Sequence, residues 1–360
     1  GRRRAGRMRA GLPDAVRGAA TARDGVVLVD KPAGPTSHDV VALTRRLAAT
    51  RRVGHAGTLD PAATGLLVLG VGRATRLLTY LVGADKTYEA TVRLGQDTLT
   101  EDAEGEVTAS RGCPDPEAWP GGHGAFAARL EEAMGSLTGR IAQVPSAVSA
   151  IRVDGVRSYA RVRGGEDVVL PARSVTVHRL TRLGAPVAAR AADGTAVVDL
   201  RLRVSCSSGT YVRALARDLG AALATGAHLT ALRRTRVGPF TIDEACGPRD
   251  MVSQVTADAA GPEPEGLSTL SPSTVVRRVL PAVELDRDQS AAVRYGRSLP
   301  EDVLDRAVMT PGEPMGAVAA GEGAGPHPDA VAGFAPDGGV VALLTRKGGR
   351  ARPVLVLSPA

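Results

Sequence analysis

The chain has 360 residues, 43% of them hydrophobic, and carries a formal charge of +7. That length supports one large core plus a small one, and the positive excess favours a polyanionic partner. Three widely spaced cysteines, Cys113, Cys206 and Cys246, include no CxxC pair. This argues against a disulfide framework or a zinc site and suits a reducing cytoplasm. No run of about 18 apolar residues is present to span a membrane.

Residues 1 to about 23 are rich in Arg, Gly and Ala; they read as a disordered basic tail without the apolar stretch of a secretory signal. Gly25-Val26-Val27-Leu28-Val29-Asp30-Lys31-Pro32 is a short apolar strand ending in a turn. A helix start follows, with Thr36 or Ser37 as N-cap and Val40, Leu43, Thr44 and Leu47 on one face.

The stretch Arg52-Val53-Gly54-His55-Ala56-Gly57-Thr58-Leu59-Asp60-Pro61-Ala62-Ala63-Thr64-Gly65 then puts one His, one Asp, one Pro and three Gly into fourteen residues. Gly and Pro impose a bent, irregular backbone. The apolar run Leu66–Val71 behind it reads as a buried strand. A polar loop held against a buried strand is where catalytic side chains tend to lie. Asp-Pro alone is also ordinary turn chemistry.

Residues 73–81 have helical spacing. In Lys86-Thr87-Tyr88-Glu89-Ala90-Thr91-Val92-Arg93-Leu94 the apolar residues Tyr88, Ala90, Val92 and Leu94 alternate with polar ones, a half-buried strand. The acidic loop Gly95–Gly105 lacks EF-hand spacing and is assigned no role. A helix running to about Met134 would bury Phe126, Leu130, Ala133 and Met134. Between residues 140 and 171, Arg152, Arg157, Arg161 and Arg163 punctuate the segment, as an exposed charged face or as a clamp on RNA phosphates. Val197–Cys206 alternates cleanly, and Ser207-Ser208-Gly209-Thr210 turns it into a helix beginning at Tyr211. Strand, tight polar turn and helix start form a good place to aim side chains at a ligand. Arg213 on that helix reads equally as a surface residue, Tyr88 as a core aromatic, Leu232 as core packing and Lys31 as a solvated turn lysine. Residues 257–274 are rich in Gly, Pro, Ser and Glu, a linker. Beyond about 281 come a short helix at 290–295 and strands at 338–344 and 353–357.

Gly-His-Ala-Gly-Thr-Leu-Asp-Pro-Ala-Ala-Thr-Gly-Leu-Leu, from Gly54, resembles the catalytic motif of the TruB-type tRNA pseudouridine synthases. Three further stretches resemble motifs of that family in order: Leu28–Ser37, Cys206–Leu215 and His228–Phe240. The resemblance covers roughly residues 25–250. It implies that Asp60 is the catalytic residue and that His55 displaces the target base. By the same resemblance, Tyr88 of the Lys-x-Tyr motif stacks on the flipped uracil and Tyr211 places a ring near it. Arg213 partners the catalytic carboxylate, Leu232 lines the uracil pocket, and Lys31 and Lys86 support the site. The family often has an Asp where this chain has Leu99. Gln143-Val144-Pro145 with Ser149-Ala150 looks like the opening of an RNA-contacting insertion, which favours the clamp.

The fold expected is α+β: a mixed, mainly antiparallel central sheet flanked by helices (the pseudouridine synthase fold), with a small β-rich C-terminal domain. The expected organisation is a tail (1–23), a catalytic domain (24–256, with an RNA-clamping insertion at about 140–171), a linker (257–280) and a PUA-like RNA-binding domain (281–360). The implied partner is the T-arm of tRNA, with no membrane, metal or cofactor, because the reaction is an isomerisation at position 55. Attack at the sugar C1′, attack at the ring C6 and proton removal from the sugar are all open to a carboxylate such as Asp60. Two other classes compete: a non-catalytic RNA-binding or RNA-folding protein on the same fold, and a glycosidase. The glycosidase needs a second acid near Asp60, and the sequence identifies none.

Overall fold

The computed structural model describes residues 11–19, 23–146, 152–153, 156–157, 170–309 and 327–358. Two compact units are present: residues 1–85 with 236–360, and residues 86–235.

In the first unit, β1 (Gly25–Lys31) pairs antiparallel with β3 (Thr64–Val71) along its whole length, Gly25 opposite Val71 and Lys31 opposite Gly65. The apolar run expected at 66–71 is the interior of β3, and Leu66, Leu67, Val68 and Leu69 are fully buried. A short β2 (Val53–His55) pairs with the second half of β3, His55 opposite Leu69. The helix Ser37–Leu47 is capped by Thr36, whose side chain accepts from the Asp39 amide while Asp39 returns a bond to the Thr36 amide. This reciprocal box settles the choice of N-cap. The helix buries Val40, Val41, Leu43, Thr44 and Leu47. The segment with helical spacing after β3 is a 3-10 turn, Gly72–Leu77, followed by the α-turn Leu78–Val82.

The second unit is a mainly antiparallel sheet. Its elements are β4 (Lys86–Leu94), the hairpin of β5 (Gln96–Thr98) and β6 (Val107–Ser110), and β7 (Gly139–Gln143). A two-residue pair, β8 (Arg152–Val153) with β9 (Val156–Arg157), follows. Then come β10 (Arg173–Arg182), β11 (Val187–Arg190), β12 (Ala196–Cys206) and β13 (Ala227–Val237). The strand order is β13-β4-β12-β10-β7, with β11 beside β12. Strict burial alternation along β4 puts Tyr88, Ala90, Val92 and Leu94 inside. Val198, Leu200, Leu202 and Val204 do the same on β12. On the polar face the register sets Arg93 opposite Asp199 and Glu89 opposite Arg203. Arg93 makes a two-pronged bond to Asp199, each arm 2.8 Å, and Arg203 reaches Glu89 at 2.7 Å. Such direct cross-strand ion pairs reinforce register. Helices Gly122–Ser136 and Val212–Ala222 flank this sheet, the first burying Phe126, Leu130, Ala133 and Met134 as its spacing predicts. Most of the expected clamp, 147–151, 154–155 and 158–169, lies outside the described residues, as do residues 1–10 and 20–22 of the tail.

The chain returns to the first unit through the end of β13, where Arg236 and Val237 pair with β14 (Phe240–Thr241). Helices Pro248–Ala259 and Pro272–Val279 follow. Between them, Asp258 accepts bonds from the Glu265 and Gly266 amides, so the Gly- and Pro-rich stretch is tied down. The C-terminal sheet runs β15 (Ala282–Glu284), β17 (Val331–Phe334), β18 (Val340–Arg346), β19 (Arg350–Val356) and β16 (Leu299–Pro300) across its width. The expected short helix is Arg287–Arg294. One apolar cluster joins Val26, Leu28, Leu66 and Val68 to Val275, Val276, Ala332, Phe334 and Leu343, so β1, β3 and the C-terminal sheet share a core.

Arg278 fastens this core at its rim. Its guanidinium lies 4.4 Å from the Phe240 ring centre and bonds both oxygens of Glu244, at 2.6 and 2.9 Å. These bonds hold the Glu244 carboxyl below the ordinary glutamate value, against a smaller opposing effect of burial. A depressed folded-state pKa stabilises the fold above the unfolded value, and the contribution is lost as pH falls through the folded one. Glu244→Gln should therefore lower the unfolding free energy at pH 7 by about 0.5–1 kcal/mol. In urea titrations the gap should close as the pH is taken below the ordinary glutamate range; a gap that does not change with pH would refute this account.

Candidate active site

Within the first unit, the loop between β2 and β3 is shaped by its glycines. Gly57 and Gly65 adopt φ of 99° and 100°, a region that costs any residue with a Cβ. Between them the chain makes a turn in which the Ala63 amide donates to the Asp60 carbonyl at 3.1 Å. Asp60 is half-buried there, and Thr58 and Ala62 are exposed.

Two side chains from outside the loop hold it. Lys31, at the end of β1, is 0% exposed and is not the solvated turn lysine of the alternative reading. The register that puts Lys31 opposite Gly65 brings its ammonium beneath the loop. Nζ donates to the carbonyls of Pro32 at 2.9 Å, Pro35 at 2.8 Å and Pro61 at 3.1 Å. Three donors meet three acceptors, which is how a buried ammonium is tolerated. The Pro61 carbonyl also accepts from the Gly34 amide at 2.8 Å. Ser37 supplies the second anchor: its hydroxyl accepts from the Leu59 amide at 2.9 Å and donates to the Leu59 carbonyl at 3.0 Å. Asp60 is thus pinned on both sides, at Leu59 and at Pro61. His55, where β2 gives way to the loop, packs edge-on against His38, ring centres 5.6 Å apart.

The second unit carries the other residues singled out from the sequence. Tyr88, 8% exposed, lies opposite Val204 and Lys86, 7% exposed, lies opposite Cys206, where β4 meets β12. Leu232 is half-buried on β13. Tyr211 is the N-cap of helix Val212–Ala222, and the Gln143 side chain fixes its backbone: the amide nitrogen of Gln143 donates to the Tyr211 carbonyl at 3.0 Å, and its oxygen accepts from the Tyr211 amide at 2.8 Å. Arg213, two residues on, is 8% exposed, so the surface-residue reading is overturned. Its guanidinium donates to the Thr100 carbonyl at 3.0 Å and to Ser146 Oγ at 3.2 Å, and approaches Asp102 Oδ2 at 3.8 Å. The acidic loop, assigned no role from the sequence, therefore orients this arginine. Thr100 Oγ1 donates to Asp102 Oδ1 at 2.5 Å and holds that carboxylate in turn.

Ser37, Thr100, Asp102 and Gln143 carry weight that composition and spacing do not reveal, since each acts through a backbone group or a neighbour far along the chain. Gln143 is visible in the sequence only as the start of the expected insertion. Arg234, in the basic cluster 233–236, is 1% exposed and contributes no surface charge.

Residues 45–212 match the model for TruB family pseudouridylate synthase, N-terminal domain, and residues 213–284 match that for the tRNA pseudouridylate synthase B C-terminal domain. The chain belongs to the TruB family. A tRNA pseudouridine synthase B of Arthrobacter sp. (strain FB24) is 50% identical over 345 residues, covering 93% of this chain and 97% of that one. The protein of the same name from Thermobifida fusca (strain YX) is 47% identical over 340 residues, covering 93% and 99%. Among solved structures, a Cbf5–Nop10–Gar1 complex matches with TM-score 0.61 at 26% identity, over 93% of this chain and 85% of that one. The Nop10–Cbf5 complex of an archaeal box H/ACA sRNP matches with TM-score 0.60 at 25% identity, over 98% and 94%. The mixed sheet with flanking helices and a β-rich C-terminal portion is the pseudouridine synthase fold expected from the TruB motifs. Among the described residues no helix is long and apolar enough to cross a membrane.

Replacing Lys31 by Met should remove the ammonium from the Pro32, Pro35 and Pro61 carbonyls, of which Pro61 keeps the Gly34 amide, and lower the unfolding free energy by about 2–4 kcal/mol. Urea denaturation checks this; an unchanged midpoint would show that Lys31 does not hold the loop.

Proposed function

We propose that the chain isomerises the uridine at position 55 in the T-arm of tRNA to pseudouridine, with Asp60 as the catalytic residue. The observation that carries this reading is the double anchoring of Asp60 by Lys31 and Ser37 inside the TruB-family motif. A carboxylate fixed through the backbone on either side loses little freedom on meeting its target, which is where positioning contributes to rate. The substrate is that named for the tRNA pseudouridine synthase B relatives. A formal charge of +7 suits it, and a cytoplasmic location goes with it.

In this reading the target uridine leaves its stack at a cost of a few kcal/mol. His55 takes the vacated space, and Tyr88 stacks on the base, contributing about 1–3 kcal/mol. The C1′–N1 bond breaks, the uracil turns, and C1′ rejoins at C5; the C5 proton is released and N1, freed of the sugar, takes one up, so the product is an isomer. Arg213 holds the Asp60 charge. Tyr211 and Leu232 shape the base pocket, with Lys31 and Lys86 behind them. Residues 24–256 form the catalytic domain, with the RNA clamp at about 140–171; 257–280 links it to a PUA-like RNA-binding domain at 281–360.

The test is tritium release from tRNA transcript labelled with [5-³H]uridine. Wild type should release label, and release should vanish when the T-arm uridine is replaced by cytidine. Asp60→Asn should fall below about one-thousandth of the wild-type rate while binding the transcript with near wild-type affinity. RNA binding without any release by wild type would replace this reading with that of a non-catalytic RNA-binding protein; free uracil would indicate a glycosidase.

A further inference from the structure

Arg217 lies four residues after Arg213 on helix Val212–Ala222, one turn further along the same face. The two arginines grip the same two segments. Arg213 holds Thr100 in the acidic loop and Ser146 beyond β7. Arg217 holds their neighbours: one nitrogen donates to Glu101 Oε1 at 2.7 Å and another to the Val144 carbonyl at 2.9 Å. Its Nε donates to Asp218 at 2.9 Å, which fixes the fork on the helix side.

The Glu101 side chain is 12% exposed, and burial raises its carboxyl pKa while Arg217 and then Arg213 draw it down. Its backbone is unusual, at φ 62° for a residue with a Cβ, and its carbonyl accepts from the Leu229 amide at 3.0 Å. A left-handed glutamate persists only where its surroundings fix it. Here the ion pair fixes its side chain and β13 fixes its carbonyl. Glu101 sits between Thr100 and Asp102, the residues on either side of it that contact Arg213. Displacing Glu101 therefore displaces these two contacts of Arg213 together.

We propose that Arg217 and Glu101 are a positioning pair for the isomerisation: they lock the acidic loop and the root of the 147–169 segment to helix Val212–Ala222, and so fix the direction of the Arg213 guanidinium. This inference rests on the pseudouridine synthase reading and on the part assigned there to Arg213. Neither residue touches substrate in it; both act through Thr100, Asp102, Val144 and Ser146. The pair was not among the residues singled out from the sequence, where Glu101 lay in a loop assigned no role.

The test is steady-state kinetics with tRNA transcript for wild type, Arg217→Ala, Arg217→Lys and Glu101→Gln, alongside thermal melting of each. Arg217→Ala should lower kcat about tenfold with KM changed less than about twofold, as loss of orientation at a reacting group does. Lysine keeps the charge toward Glu101 and gives up the fork, so Arg217→Lys should recover part of that loss; Glu101→Gln, which keeps the shape, should fall between. Wild-type kcat in Arg217→Ala would overturn the proposal. So would a loss confined to KM, or one that follows the melting temperature with no recovery in Arg217→Lys. No product from wild type would overturn the functional reading, and this inference with it.

Discussion

A buried ammonium set among three carbonyls governs the loop that carries Asp60. Lys31 is fully buried, and the Pro32, Pro35 and Pro61 carbonyls that face its ammonium offset the cost of removing its charge from solvent. A loop that drifts by about an ångström weakens these charge-assisted bonds, most of all the buried one to Pro35. The β1–β3 register delivers Lys31 to that point, and the buried leucines and valines of β3 fix the register. The hydrophobic run after the motif is thus the ruler against which the loop is set.

The second unit reaches the same kind of rigidity by other means. Direct cross-strand ion pairs, Arg93–Asp199 and Arg203–Glu89, reinforce the register of β4 against β12. Tyr88, Tyr211 and Arg213, which the proposal places at the base or beside Asp60, lie near the start of β4 and at the start of the helix after β12, the points at which a strand stops dictating where side chains go. Cys113 shows the difference between burial and reactivity. Burial alone pushes its thiol up to about 11, and a thiol so suppressed is an inert packing group.

Sequence patterns are most informative where one periodicity holds over many residues. The alternation of β4 and β12, the apolar run of β3, the cap at Thr36 and the inward face of helix Gly122–Ser136 are all legible, because each is a local consequence of which side chains avoid water. The motif loop is legible for a different reason: its Gly, His and Asp-Pro pattern matches a family. Legibility fails where a side chain serves a backbone group distant in sequence. Ser37 bonding Leu59, Gln143 bonding Tyr211 and Thr100 bonding Arg213 span 22, 68 and 113 residues. No local rule connects such positions. Arg213 misleads for a related reason: a charged residue on a helix reads as surface, and burial with partners is invisible until the chain is folded.

The Gln143 clamp on Tyr211 has a consequence of its own. A carboxamide presents a donor and an acceptor side by side and has no proton to lose in the physiological range. The two bonds to the Tyr211 backbone are therefore indifferent to acidity and only weakly sensitive to salt, unlike the arginine–carboxylate contacts around them. A carboxylate at the same position would offer two acceptors and no donor, and would set its charge against the Tyr211 carbonyl. The start of the helix that carries Arg213 is in this way referenced to the end of β7 by a neutral fixture, a datum that stays put while the charges mounted on it respond to their surroundings.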